Sequence, residues 1–225
     1  MMGWDGDRIQ VAINVAGCGE SFEMTSLIDS AMAVWNNVLG GMFELRVGNI
    51  SATSVEQAIA GNAPDSPLLI CDAQFMAHTR ADGNTTPGQT SVLLDTSVNH
   101  LIYGYTLLNA EPGTLANIER IPEGRVAAIV AHELGHLIGL GHSPERDALM
   151  YYDVSNKRTA RLSADDAAGA VHLYTDRPDR TDDPMACGQI TRDGSGPGSS
   201  TGILNAAFAL FLAFAGIKVL RKTNV

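Results

Sequence analysis

Apolar residues follow two successive patterns over the first 40 residues of the chain. Residues 8–15 alternate between apolar and polar side chains, the period-two pattern of a half-buried strand, with one face formed by Ile9, Val11, Ile13 and Val15. Ser26 and Asp29 then form a capping-box pattern, and apolar residues recur at helical spacing until Gly40. We therefore predict a strand, followed by a helix that begins at Ser26 and packs against a sheet.

The middle of the chain alternates short apolar runs with clusters of Gly, Pro, Asn and Asp. These runs predict four more strands, at residues 43–47, 67–73, 91–94 and 103–108. One further helix is predicted over residues 123–138, and another is capped by Ser163 with Asp166 and ends near Tyr174. The elements predict one compact, monomeric domain over residues 1–176.

The composition changes sharply after this domain. Residues 177–201 are first charged and then rich in Gly and Ser, which predicts a flexible linker. Residues 202–222 are nearly all apolar and contain no acidic residue, and their basic residues, Lys218, Arg221 and Lys222, lie near the end. This pattern predicts a transmembrane or surface-sorting tail that attaches the protein to a membrane. A buried core helix is the alternative for this segment.

Charge and cysteine usage narrow the range of partners. Asp and Glu number 25 against 15 Lys and Arg, and the net charge of -10 argues against a nucleic-acid partner. The cysteines, which are Cys18, Cys71 and Cys187, lie far apart without CxxC spacing, so a thiolate metal site is not predicted. One disulfide among them is compatible with the sequence, and its pairing is open. The first residues show no apolar stretch typical of a secretory signal peptide.

The strongest chemical signal in the chain is the segment HELGHLIGLGH, which begins at His132. Residues four apart share one helix face, so His132 and His136 can bind one ion while Glu133 projects beside it. Gly139 can adopt the left-handed conformation that ends a helix, which would bring His142 to the same ion. Three protein ligands leave one position of a zinc ion open for water, and Glu133 is placed to act as general base.

Together with the residues that follow, this segment resembles the metzincin zinc peptidases, and among them the matrixins. Ser143 and the run that ends in Met150 follow at the matrixin spacing, which identifies Met150 as the residue of the Met-turn. Residues 162–174 resemble the last matrixin helix, and the chain around Trp4 and residues 34–36 is similar to the beginning of a matrixin domain. The resemblance implies an α+β metzincin domain with a twisted mixed five-stranded sheet, two long helices, a Met-turn and a C-terminal helix.

The resemblance also implies roles for individual residues. It implies catalysis by Glu133, a brace beneath the Met-turn from Asp165, and zinc binding by three imidazoles, those of His132, His136 and His142. A peptide or protein substrate would pair with residues 103–108, which we expect to form the edge of the sheet. Calcium could bind through Asp72, Asp82 or Asp95. The pattern for a second, structural zinc is absent, and its only leftovers are His78, Asp82 and His100.

Tyr152 departs from the matrixin pattern, because matrixins usually carry proline at this position. Astacins and serralysins carry a tyrosine two residues after the methionine of the Met-turn, and that tyrosine can swing onto the zinc. Tyr152 is therefore a candidate zinc switch and hydrogen-bond donor to an oxyanion. The alternative is that its ring forms an aromatic wall of the substrate pocket.

The sequence as a whole predicts a zinc metalloendopeptidase that acts at the cell surface or outside the cell, with a tail similar to prokaryotic surface-sorting segments. One alternative is a zinc amide hydrolase that removes small acyl groups, and the position of His142 after Gly139 argues against it. The other is a membrane-tethered binding module with structural zinc, in which Glu133 would have no function as a base.

Overall fold

The computed structural model describes residues 3–19 and 24–175 of the chain. The predicted linker at 177–201 and the predicted tail at 202–222 lie outside the described residues. Within the described ranges, no helix is both long enough and apolar enough to cross a membrane.

Strands and helices alternate through most of the described chain. The strands are β1 (Arg8–Asn14), β2 (Glu44–Ile50), β3 (Leu68–Asp72), β4 (Gly88–Asp95) and β5 (His100–Asn109). The helices are α1 (Met24–Leu39), α2 (Val55–Ile59), α3 (Phe75–Thr79), α4 (Glu123–Leu137) and α5 (Ala164–Thr175). All five predicted strands and all three predicted helices are confirmed, and α2 and α3 are additional short helices.

The five strands form one mixed sheet in the order β2-β1-β3-β5-β4. The pairs β1–β2, β1–β3 and β3–β5 are parallel, whereas β4 runs antiparallel to β5. The prediction that residues 103–108 form the edge of the sheet is wrong, because β5 lies between β3 and β4. Its second half is buried at every position, which is typical of an interior strand covered on both faces. The edge next to β5 is instead strand β4.

Apolar residues of β3 alternate between two clusters on opposite faces of the sheet. Leu69 and Cys71 belong to the larger cluster, which includes the buried faces of α1 and α4. Leu68 and Ile70 belong to a smaller cluster that contains Phe75 of α3. This alternation follows from the period of two along a strand. The two long helices therefore cover one face, and the two short helices cover the other.

The predicted start of α1 is wrong. The helix begins at Met24, so Ser26 lies inside it, and the main-chain carbonyl of Ser26 accepts a hydrogen bond of 2.8 Å from the Ser30 hydroxyl. Met24 and Leu27 are both buried, which extends the apolar face beyond the predicted cap. The second capping box is confirmed, because the main-chain N–H of Ser163 donates to the Asp166 carboxylate at 2.7 Å and the N–H of Asp166 donates to the Ser163 hydroxyl at 3.2 Å.

A disulfide between Cys18 and Cys71 joins the loop after β1 to strand β3 and resolves the pairing that the sequence left open. The two cysteines are 53 residues apart in sequence. Closing a loop of this length lowers the entropy of the unfolded chain and stabilises the folded state by about 4 kcal/mol in the chain-entropy model. The bond therefore fixes β3 against the chain that leads into α1.

Candidate metal centre

Helix α4 carries three polar side chains in its buried half. His132, Glu133 and His136 are 4%, 6% and 5% exposed. The helix ends at Leu137, and two residues later Gly139 has a φ of 108°, a left-handed conformation that favours glycine. The chain then turns back and brings His142 to the same place, as the spacing predicts.

The Nε2 atoms of the three histidines converge on one point. The Nε2 atom of His136 lies 3.1 Å from that of His132 and 3.1 Å from that of His142. Zinc–nitrogen bonds of about 2.0–2.1 Å in a tetrahedral arrangement place the nitrogens about 3.3–3.4 Å apart. The three imidazoles therefore fit a zinc ion. Among the described residues, they form the only group of three or more metal-ligating side chains that share a centre.

Hydrogen bonds on the outer ring nitrogens fix the tautomers of two histidines. The Nδ1 atom of His132 lies 2.7 Å from the carbonyl oxygen of Leu149, and the Nδ1 atom of His136 lies 2.8 Å from that of Leu140. A carbonyl oxygen can only accept, so each Nδ1 carries the proton and each Nε2 presents a lone pair. Lone pairs that face one another at 3.1 Å repel, and a shared cation relieves the repulsion.

Burial also keeps the imidazoles uncharged. It lowers the pKa of His132 to about 4 and the pKa of His136 to about 3, and it lowers the pKa of His142 as well. Burial lowers these pKa values because a charged imidazole ring loses its favourable contacts with water. At neutral pH the rings are therefore in the form that binds a metal.

Glu133 lies next to the histidines and faces strand β4. Burial raises the pKa of its carboxyl group to about 7, and a hydrogen bond of 2.7 Å from the Thr90 hydroxyl acts in the opposite direction. A carboxyl group with a pKa near neutral can both accept and return a proton at physiological pH. The position and the pKa suit a general base.

Met150 is buried and packs against α4 at Gly135. A Cβ atom added to Gly135 would lie 2.3 Å from the Met150 sulfur and 2.8 Å from the ring of Trp35. Glycine is therefore required at position 135 because Met150 and Trp35 approach the helix backbone closely. The motif HExxH by itself allows any residue at this position. The main-chain N–H of Ser143 donates to the Met150 carbonyl at 2.8 Å, which joins the loop of His142 to this turn.

The brace of the turn at Met150 is Asp166, and the prediction of Asp165 is wrong. The Asp166 carboxylate accepts hydrogen bonds from the N–H groups of Leu149 at 2.7 Å and of Met150 at 2.9 Å. Asp166 is 2% exposed, whereas Asp165 is exposed and its carboxylate accepts from the Ser143 hydroxyl at 2.6 Å. Successive side chains of a helix point about 100° apart, so Asp166 faces the turn at Met150 whereas Asp165 faces Ser143.

Tyr152 lies at the surface with 63% of its area exposed, and its ring centroid is 4.5 Å from that of Tyr151. A side-chain hydrogen bond with Tyr151 raises the pKa of Tyr152. The role of Tyr152 as a zinc switch stays a prediction.

The candidate calcium residues take part in separate local networks. Asp72 is buried and lies 2.9 Å from the Nδ1 atom of His78. Asp82 accepts from the main-chain N–H of Asn84, and Asp95 accepts from that of Ser97, as in ordinary turns. Calcium binding therefore stays a prediction, with no shared centre among these residues in the described part of the chain.

The brace by Asp166 leads to a prediction about stability. Replacing Asp166 with Ala leaves the buried N–H groups of Leu149 and Met150 without acceptors, each at a cost of about 1–3 kcal/mol. We expect Asp166→Ala to lower the free energy of unfolding, measured by urea denaturation, by about 2–5 kcal/mol. Asp165→Ala is the matched control and should change it by less than about 1 kcal/mol. Equal losses in the two variants would contradict the assignment.

Comparison with known proteins identifies the family. The sequence profile of the Matrixin family matches residues 19–175, more than two thirds of the chain. Metalloendoproteinase 5-MMP of Arabidopsis thaliana is 44% identical over 52 residues, which are 23% of this chain and 14% of that protein. Matrix metalloproteinase-9 of Canis lupus familiaris is 45% identical over 51 residues, which are 23% of this chain and 7% of that protein.

The aligned segments thus span about a seventh or less of these two relatives. Among solved structures, archaemetzincin from Methanopyrus kandleri matches 76% of this chain and 98% of its own, with 15% identity and a TM-score of 0.48. The match of the family profile confirms the resemblance inferred from the sequence, and the mixed five-stranded sheet confirms the predicted α+β fold. The chain belongs to the matrixin family.

Proposed function

We propose that this protein is a zinc-dependent endopeptidase. The observation that carries the proposal is the convergence of three imidazole Nε2 atoms beside the buried carboxyl group of Glu133. Membership of the matrixin family and the similarity to metalloendoproteinases support it. We assign the zinc ligands to His132, His136 and His142.

The chemistry divides between the metal and the protein. The imidazoles of His132, His136 and His142 would hold a zinc ion, which would act as a Lewis acid and lower the pKa of the attacking water. Glu133 accepts the proton of the water as it attacks the peptide carbonyl, and then donates this proton to the leaving amine.

The substrate that suits this arrangement is an extended peptide. Strand β4 forms the edge of the sheet and lies directly beside Glu133, since a Cβ atom on Gly88 would come within 3.0 Å of that side chain. A peptide that added itself to β4 by main-chain hydrogen bonds would pass in front of the candidate metal centre. A purely structural zinc site needs a fourth protein ligand, and the described residues offer three.

We also propose that the protein acts outside the cytosol and is held at a membrane by its C-terminal segment. The Cys18–Cys71 disulfide supports an oxidising compartment. The apolar sequence of residues 202–222 supports membrane attachment.

The mechanism predicts separate effects for the base and the ligands. Glu133→Ala should keep about one zinc per chain and lower the rate of peptide cleavage by about a hundredfold to ten-thousandfold, because only proton transfer is lost. His142→Ala should instead lose the zinc, since two imidazoles bind it much more weakly than three. The measurements are metal content by mass spectrometry and turnover of a fluorogenic peptide. Full activity in Glu133→Ala, or unchanged zinc in His142→Ala, would refute the assignments.

A further prediction tests Tyr152 as an oxyanion donor. Tyr152→Phe keeps the ring and removes only the hydroxyl, so a catalytic hydroxyl should cost about a hundredfold to a thousandfold in turnover. Tyr151→Phe is the matched control, because the two rings are neighbours and only Tyr152 is assigned the role. Turnover within about threefold of wild type for both variants would remove Tyr152 from the mechanism.

The last prediction about the proposed function concerns attachment to membranes. We expect the full chain to sediment with membranes and to require detergent for extraction, whereas a chain that ends near residue 195 should be soluble and active. The measurement is the partition of each form between membrane and aqueous fractions. A full chain that stays in the aqueous fraction would rule out the membrane tail.

A further inference from the structure

The hydroxyl group of Thr90 connects the edge strand of the sheet to the proposed general base. Thr90 lies on β4, and its Oγ1 atom is 2.7 Å from the Oε2 atom of Glu133 and 2.8 Å from the Oγ1 atom of Thr106 on β5. Thr90 is 2% exposed and Thr106 is fully buried. The Thr90 hydroxyl on β4 therefore contacts one side chain from β5 and one from helix α4.

The single proton of each threonine hydroxyl determines which group donates and which accepts in these contacts. A threonine hydroxyl has one proton to donate, and an ionised carboxylate can only accept. The Thr90 Oγ1 atom also lies 3.2 Å from the main-chain carbonyl oxygen of Glu133, and the shorter contact of 2.7 Å with Oε2 takes the Thr90 proton. The 2.8 Å contact with Thr106 must then use the proton of Thr106. The hydrogen bonds then run from Thr106 to Thr90 and from Thr90 to Glu133. Thr106 thereby orients the hydroxyl that holds the carboxylate.

The arrangement leaves one carboxylate oxygen of Glu133 for the reaction. Oε2 accepts from Thr90, whereas Oε1 makes no hydrogen bond to any residue in the described ranges. Gly88 lies two positions before Thr90, on the same face of β4, and a Cβ atom there would be 3.0 Å from Oε1. Gly88 thus provides space for the carboxylate, and Thr90 sets its rotation.

We propose that Thr90 is a positioning residue for Glu133 and that Thr106 orients Thr90. The proposal rests on the peptidase function proposed above, because it assigns these residues a part in the same reaction. The terminal torsion of a glutamate has a broad energy minimum, so a fixed hydrogen bond is needed to hold one oxygen toward the reacting water. Strand β4 then positions both the substrate and the base.

The test compares Thr90→Val with Thr90→Ser in the full, zinc-loaded chain. Valine keeps the shape and removes the hydroxyl, so we expect kcat to fall by about tenfold to a hundredfold while KM changes by less than about threefold. Serine restores the hydroxyl and should return kcat to within about threefold of wild type. Thr106→Val should lower kcat by a smaller factor, because Thr90 still donates. Zinc content should be unchanged in all variants.

Thr114→Val is the matched control, since Thr114 is also buried, its hydroxyl donates to the main-chain carbonyl of Glu111 at 2.9 Å, away from Glu133, and its loss should leave kcat unchanged. Wild-type kcat in Thr90→Val, or an equal loss in Thr90→Val and Thr90→Ser, would overturn the proposal. If Thr90→Val fails to fold, Thr90→Ala replaces it and is judged by the same criteria.

A second measurement is independent of catalysis. A double-mutant cycle of Thr90→Val and Glu133→Leu, measured by urea denaturation of the metal-free protein, should show that the two effects on the free energy of unfolding do not add. Additive effects would refute the contact between Thr90 and Glu133. Coupling in this cycle together with an inactive wild-type enzyme would instead reject the peptidase function and, with it, the positioning role.

Discussion

The fold depends on one constraint, which is that helix α4 is buried along its second half and still carries two imidazoles and a carboxyl group. Buried polar groups cost free energy unless they are hydrogen-bonded. The helix also ends with main-chain carbonyls that lack partners within it. The indole of Trp4 donates to the carbonyl of Leu137, and the hydroxyl of Tyr174 donates to that of Ile138. Residues near both ends of the described chain are therefore bound to the helix that carries the candidate metal centre.

The local part of this arrangement could be predicted from the sequence. The three histidines and Glu133 lie within residues 132–142, so the period of a helix and one turn glycine are sufficient to bring them together. The identity of the edge strand could not be predicted in this way. Alternation of apolar residues reports which face of a strand is buried, and it does not report which strand lies beside it. The alternation within residues 103–108 therefore does not show that β5 lies between β3 and β4.

The wrong prediction of Asp165 as the brace of the turn has a different cause, because the spacing of buried residues along α5 indicates Asp166. Asp166, Ala170 and Tyr174 are four residues apart and all three are buried, so they form one stripe of α5. A prediction based on this stripe would have turned Asp166 toward the core. Thr90 gave no comparable signal, because its contact with Glu133 exists only when β4 lies across α4.

The proposed zinc ligands lie close together in the sequence, whereas the residue proposed to orient the base lies far from it. The three histidines are separated by at most ten residues, whereas Thr90 lies 43 residues from Glu133. A short segment loses little entropy when its ends meet, and a distant contact requires the whole sheet to be assembled. If the proposed function is correct, damage to the sheet can therefore abolish catalysis in a protein that still binds zinc. For this architecture, metal content alone is a poor measure of whether a preparation is intact.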